Sequence, residues 1–217
     1  MTARRRGAAP HEQREASPRV EPVSTPPFRV GFVTGATPDK WARHWRQRRT
    51  REPLELVPVT EEDQERVLRE REVDMCLVRL PVDREGLHLI PLYDELPVAV
   101  VGDEHLLTLA EEVTTADLAE EQLVLPHRSG WRPDVPQLDW PPMSVKDAVE
   151  VVASGTGVAI VPMAIARLHN RKDVEHRVVT DLEPTTVGLA WLVERDDEQC
   201  QAFVGIVRGR SVRSSRG

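Results

Sequence analysis

Four groups of residues in this sequence have the types and placement to hold a small anion. Thr34-Gly35-Ala36-Thr37 follows an apolar run and leads into a stretch with helical spacing. A helix N-terminus carries unpaired N–H donors and the positive end of the helix dipole, so a loop there with two hydroxyls suits a carboxylate. Ordinary capping by Thr37 is the competing role. Ser144, just before Val145-Lys146-Asp147, has the same two roles: cap alone, or cap plus ligand contact. Arg79 and Pro81 end an apolar run on its carboxyl side, where open α/β sheets gather ligands. The Arg79 guanidinium would grip a carboxylate bidentately, or else make a surface ion pair. His127, Arg128 and Ser129 follow the short run Gln122 to Leu125, with a solvated loop as the alternative reading.

Catalytic spacing is missing. The sequence has no G-x-S-x-G elbow, H-E-x-x-H pair, Walker A loop or C-x-x-C. Its seven histidines are scattered and none pairs with a second ligand type at metal spacing, so neither a metal nor a cofactor is expected. Ser154-Gly155-Thr156-Gly157 ends a helix instead of opening one, which rules it out as a phosphate loop. Cys76 and Cys200 are too few for a disulfide framework, and Cys76 sits in an apolar run as a small hydrophobe would.

The elements that must position these groups follow from periodicity. Phe28 to Val33 reads as a strand, with Pro38 suited to the first turn of a helix that carries Trp41, Ala42 and Trp45 on one face. Leu54 to Val59 alternates as a second strand. Thr60-Glu61-Glu62-Asp63 resembles a capping box opening a helix to about Glu70. Val73 to Val78 is apolar on both faces, as a buried parallel strand is. Strand, helix, strand, helix, strand implies right-handed crossovers and a parallel α/β sheet. Strands are expected at Leu87 to Pro91 and Leu96 to Val101, the second as a crossover between lobes. A short helix over 115–120, a strand at 122–125 and an irregular stretch from Pro126 to Pro142 come next. A helix from Val145 to Ala153, a buried strand at 158–162, a helix from Met163 to His169 and an extended piece at 177–179 complete the middle. The chain returns through a strand, Thr186 to Val193, and an amphipathic helix, Asp197 to Val207.

This order of pieces resembles the effector-binding (substrate-binding) domain of LysR-type transcriptional regulators. Four stretches carry the resemblance: Phe28 to Val33 with its Thr-Gly loop, Arg71 to Val78, Leu92 to Val101, and Val151-Val152-Ala153-Ser154-Gly155-Thr156-Gly157-Val158-Ala159-Ile160-Val161-Pro162. The last is the most specific and is similar to a V-A-x-G-x-G-I-x-x-x-P signature, with Val158 for the Ile. The resemblance implies an α/β, two-lobed, type-2 periplasmic-binding-protein-like fold with parallel or mixed sheets and two hinge crossovers. It divides the chain into a disordered tail (1–27), a domain (28–208) and a disordered basic tail (209–217). Lobe I covers 28–100 plus 183–208, and lobe II covers 101–182. In that fold Ser144 faces Thr34 across a ligand cleft. Two departures stand out: no helix-turn-helix precedes residue 28, and the second lobe is short between Leu125 and Ser144.

Charge narrows the partners. Residues 1–27 hold five Arg and three Glu, and 208–217 hold four Arg and no acid. The body, 28–207, carries twenty basic and thirty-three acidic side chains, a balance of −13. Such a body does not favour a broad phosphate-binding face, although the basic ends would touch nucleic acid weakly. No apolar run is long enough for a bilayer span, and no apolar h-region follows the N-terminal arginines. The expectation is a cytoplasmic, non-enzymatic effector-sensing module for a small anionic metabolite. It would act through a homodimer or a partner regulator, without specific DNA binding of its own. The expected ligand contacts are Thr34, Gly35, Thr37, Arg79, Pro81, His127, Ser129 and Ser144. The alternatives are an enzyme acting on a small carboxylic acid, or an exported solute-binding protein, on the same fold.

Overall fold

The structure, a computed structural model, describes residues 26–209. The disorder expected for 1–27 and 209–217 falls almost wholly outside that range. Two mixed sheets define two lobes. The first contains β1 (Phe28–Val33), β2 (Leu54–Val59), β3 (Met75–Arg79), β4 (Leu87–Glu95) and β9 (Thr185–Leu192), in the order β2-β1-β3-β9-β4. β1 runs parallel to β2 and β3, whereas β9 is antiparallel to β3 and β4. The second contains β5 (Pro97–Gly102), β6 (Glu112–Val113), β7 (Ala159–Pro162) and β8 (Val174–Val179), in the order β6-β8-β5-β7. β1, β2 and β3 thus pair in parallel, as the alternation of strands and helices suggests, and the antiparallel strands β9 and β4 make the first sheet mixed.

The chain crosses between lobes twice, at Glu95–Pro97 and between β8 and β9. β5 belongs wholly to the second sheet, so the first crossover falls at Leu96, a few residues before the boundary at 100 read from the sequence. Each sheet is covered on both faces. Helices α1 (Asp39–Arg48) and α5 (Glu198–Val207) cover one face of the first sheet, where Phe28 stacks on Trp45 at 4.8 Å and Phe203 packs beside both. Helix α2 covers the other face with Val67 and Leu68. It spans only Arg66–Arg69: the Asp63 amide donates to Thr60 Oγ1 as in a capping box, but the Asp63 carboxylate accepts from the Thr60 hydroxyl, and the next residues form turns, not helix. Every residue of β3 is buried, as its unbroken apolar run requires.

In the second lobe, α3 (Val145–Ala153) and α4 (Met163–Leu168) pack against β5 and β7. The capping box read at Ser144 is present. Ser144 Oγ accepts from the Asp147 amide at 3.2 Å, and Asp147 returns a carboxylate to the Ser144 amide. Gly157 explains the most specific motif. Its φ is +79°, and a Cβ there would lie 2.2 Å from the Gln122 carbonyl oxygen, so only glycine lets the turn after α3 enter β7. The stretch from Pro126 to Pro142 has no regular structure and is held by two glutamines. Gln137 Oε1 accepts from the Leu123 amide at 2.6 Å, and Gln122 Oε1 accepts from the Leu138 amide at 2.8 Å. These clips stand where the sequence suggests a strand; Leu123 keeps a single bridge to Val158. Both cysteines are buried in separate clusters, and burial pushes each thiol up to about 12.

Candidate functional site

Two cavities open at the junction of the lobes, and they divide the expected site residues between them. Thr34, Gly35 and Thr37 line a cavity of about 910 Å³ together with Tyr93 to Leu96 of the first crossover and Met163, Ala164, Arg167 and Leu168 of α4. Pro81, His127 and Ser129 line another of about 350 Å³, with Arg84, Arg128 and Glu183 to Thr186 of the second crossover. Arg79 and Ser144 line neither. The hydroxyl of Thr37 does not cap α1, whose N-cap position is Pro38. Gly35 sits where the lobes touch: at φ +88°, a Cβ would come within 3.0 Å of Ile165 on α4.

Arg79 requires a correction. The expectation of a guanidinium free for an anion does not match its surroundings, because its side chain is only 1% exposed. Its Nε and one terminal nitrogen donate to Glu95 Oε2 at 3.0 and 2.8 Å, and that same nitrogen reaches the Thr34 carbonyl at 3.1 Å. Gln64 brackets the backbone of Arg79, accepting its N–H at 2.8 Å and donating to its carbonyl at 3.0 Å. The physical reason is desolvation: a cation at the end of a fully buried strand persists only with a buried counter-charge. Glu95, itself 4% exposed, supplies it from the end of β4. Arg79 therefore pins the β1–α1 loop to β4 and is a positioning residue of the cavity wall.

From Arg79 the charges continue across the junction. Its second terminal nitrogen lies 3.6 Å from Glu61, and Glu61 also pairs with Arg128, which belongs to the second lobe. Arg128 further donates to the Leu80 carbonyl at 2.7 Å. The result is a chain of alternating charge, Arg128–Glu61–Arg79–Glu95, and Arg128 is the polar side chain that ties the lobes together. It remains 39% exposed at the smaller cavity, so a ligand can reach it. Arg84 adds a second cation that has no ion pair among the described residues, and Glu183 is the one acid among the residues lining this cavity.

His127 completes this wall. Burial, and then the charge of Arg128, lower its pKa, so the ring is neutral near pH 7. Its Nδ1 accepts from the Ser129 amide at 3.3 Å and shares a 2.7 Å bond with the Ser129 hydroxyl. The neutral ring then carries its proton on Nε2. Cations, one imidazole N–H and a hydroxyl can together hold a small anion. The counter-ions Glu61 and Glu95, and Gln64, which holds the Arg79 backbone, were not among the expected residues. In the sequence Glu95 is the second acid of Asp94-Glu95, ahead of the apolar run Leu96 to Val101, and nothing local sets it apart.

The family model of the LysR substrate binding domain matches residues 25–211. Among curated proteins, the chain is similar to the HTH-type transcriptional regulator AlsR of Bacillus subtilis, 24% identical over 71% of this chain and 56% of that protein. It is also similar to the Hca operon transcriptional activator HcaR of Escherichia coli, 24% identical over 83% and 67%. The chain thus spans about half to two thirds of these relatives. Among solved structures, the BenM effector binding domain with its effector benzoate superposes with a TM-score of 0.67 at 19% identity, covering 84% of this chain and 90% of that one. The reduced OxyR regulatory domain of Pseudomonas aeruginosa gives 0.65 at 19% identity, over 84% and 95%. At such identities the likeness is one of fold: two α/β lobes of the type-2 periplasmic-binding kind. Among the described residues no helix is long and apolar enough to cross a membrane.

Proposed function

Because this chain belongs to the LysR substrate-binding domain family, we propose that it is an effector-sensing regulatory module and not an enzyme, and that its effector is a small anion held at the smaller cavity. The observation that carries this reading is the position of Arg128. The residue rides on the second lobe, reaches the first through Glu61 and the Leu80 carbonyl, and still faces the cavity. A carboxylate entering there competes with Glu61 for Arg128 and gains Arg84, the His127 N–H and the Ser129 hydroxyl. Benzoate, named as the effector of the BenM domain, belongs to that chemical class. Ligand differential affinity for two lobe arrangements is what shifts a hinge equilibrium. An anion that trades the Arg128–Glu61 tie for its own contacts has that differential.

The experiment is calorimetric. A panel of small carboxylates is screened by thermal shift, and the best binder is titrated into wild type and Arg128→Ala. A hydrogen bond to a charged group contributes about 1.5–3 kcal/mol, so the substitution should weaken binding roughly tenfold to 150-fold. We propose further that the signal leaves through a homodimer or a partner regulator. The body, at −13 between residues 28 and 207, does not favour a phosphate-binding face of its own. A sequence-selective duplex shift that survives physiological salt would contradict that last point.

A further inference from the structure

The larger cavity has the opposite electrical character, and the contrast gives it a ligand class of its own. About 910 Å³ is the size of a small-molecule site. Its walls are apolar where water would otherwise meet them: Tyr93, Leu96 and Leu168 are 37%, 48% and 58% exposed, and all three line it. Its charged groups are Asp39, Asp94 and Glu95 against Arg167 alone. Asp94 takes a hydroxyl bond from Thr186 at 2.6 Å, which leaves its charge in place.

Glu95 supplies the second observation. Its side chain is 4% exposed, Oε2 holds Arg79, and Oε1 has no hydrogen-bond partner among the described residues. A buried carboxylate oxygen without a donor is costly, and the group that satisfies it is an N–H or O–H. An anion entering this cavity would meet Asp39 and Asp94, and at Glu95 an unpartnered carboxylate oxygen whose charge Arg79 balances from behind the wall. A protonated amine would meet Asp39 and Asp94 with a favourable sign and donate to the unpartnered Glu95 oxygen, and the acidic body would concentrate it at the entrance. We propose that this cavity is a second ligand site, separate from the anion site, for a molecule with an apolar body and a protonated amine, the amine directed at Glu95.

The chain has a single tyrosine, and it is Tyr93. Fluorine-labelled tyrosine therefore gives one NMR signal, placed in this cavity. The full chain is titrated with phenethylamine and, in parallel, with hydrocinnamate, which has a similar aromatic body and the opposite charge. Phenethylamine should move the signal saturably and hydrocinnamate should not. Glu95→Gln should raise the phenethylamine Kd at least about tenfold. That variant disturbs a buried ion pair, so Leu168→Arg at the exposed rim serves as the companion; it adds a like charge without touching the core and should weaken the amine several-fold. Arg128→Ala should leave the amine titration unchanged, which separates this site from the anion site. A signal that phenethylamine leaves unmoved, one that hydrocinnamate moves equally, or an amine affinity indifferent to Leu168→Arg would overturn the proposal.

Discussion

Arg79→Ala separates a structural arginine from a ligand-binding one. The substitution removes the counter-charge of Glu95, whose side chain is 4% exposed, and the donor to the Thr34 carbonyl. Breaking a buried pair by deleting one partner costs about 3–5 kcal/mol, because the remaining charge stays desolvated. For a chain of this size each kcal/mol lowers Tm by roughly 2–4 °C, so the ligand-free protein should melt about 6–20 °C lower. The assay is thermal and urea unfolding of wild type, Arg79→Ala, and the double variant Arg79→Met with Glu95→Leu. The double variant should recover most of the loss, since apolar replacement of a buried pair is often neutral or stabilising. A ligand-free Arg79→Ala that melts within about 2 °C of wild type would refute the reasoning. The guanidinium would then be solvated, and the reading of it as a free anion ligand would return.

Three further outcomes follow from the same contacts. Ser144→Ala should cost about 1 kcal/mol of stability through the lost cap, seen in urea midpoints, while carboxylate affinity at the smaller cavity stays unchanged. Gly157→Ala should cost more than Gly155→Ala. Both positions have φ near +80°, worth about 1–3 kcal/mol of strain in a non-glycine residue, but only Gly157 also meets the Gln122 carbonyl. The lowered pKa of His127 means that the folded state holds the ring neutral while the unfolded state binds a proton near pH 6.5. Its stabilising contribution is therefore complete above about pH 6.5 and is lost as pH falls through the folded pKa. His127→Asn should flatten that limb in denaturation measured from pH 8 down to 5.

Much of the scaffold could be read from sequence, for identifiable reasons. β3 announces itself as an unbroken apolar run, α3 by Ser144 and Asp147 at capping spacing, and the turn after it by Gly155 and Gly157. Local chemistry decides each of these. What could not be read depends on partners distant in the chain. The antiparallel insertion of β9 between β3 and β4 is a pairing choice, invisible in either strand. Arg79 was placed correctly at a strand end, but its role turns on Glu95 sixteen residues later, and the lobe-to-lobe tie on Glu61 and Arg128, 67 residues apart. The single cleft expected from Thr34, Gly35, Arg79, Ser129 and Ser144 is divided: Thr34 and Gly35 line one cavity, Ser129 another, and Arg79 and Ser144 neither, because residues at strand ends diverge to either side of the Arg79 network. Strand ends are legible in a sequence, whereas the direction of a side chain leaving them is not.

The central claim is that a small anion is sensed where Arg128 joins the lobes. Its most direct test is isothermal titration of the best-binding carboxylate into wild type, Arg128→Ala and Arg79→Met/Glu95→Leu at a single pH and salt. The account predicts that Arg128→Ala loses roughly tenfold to 150-fold in affinity while the double variant binds within a few-fold of wild type. Equal affinity in wild type and Arg128→Ala, with the loss appearing in the double variant instead, would contradict it.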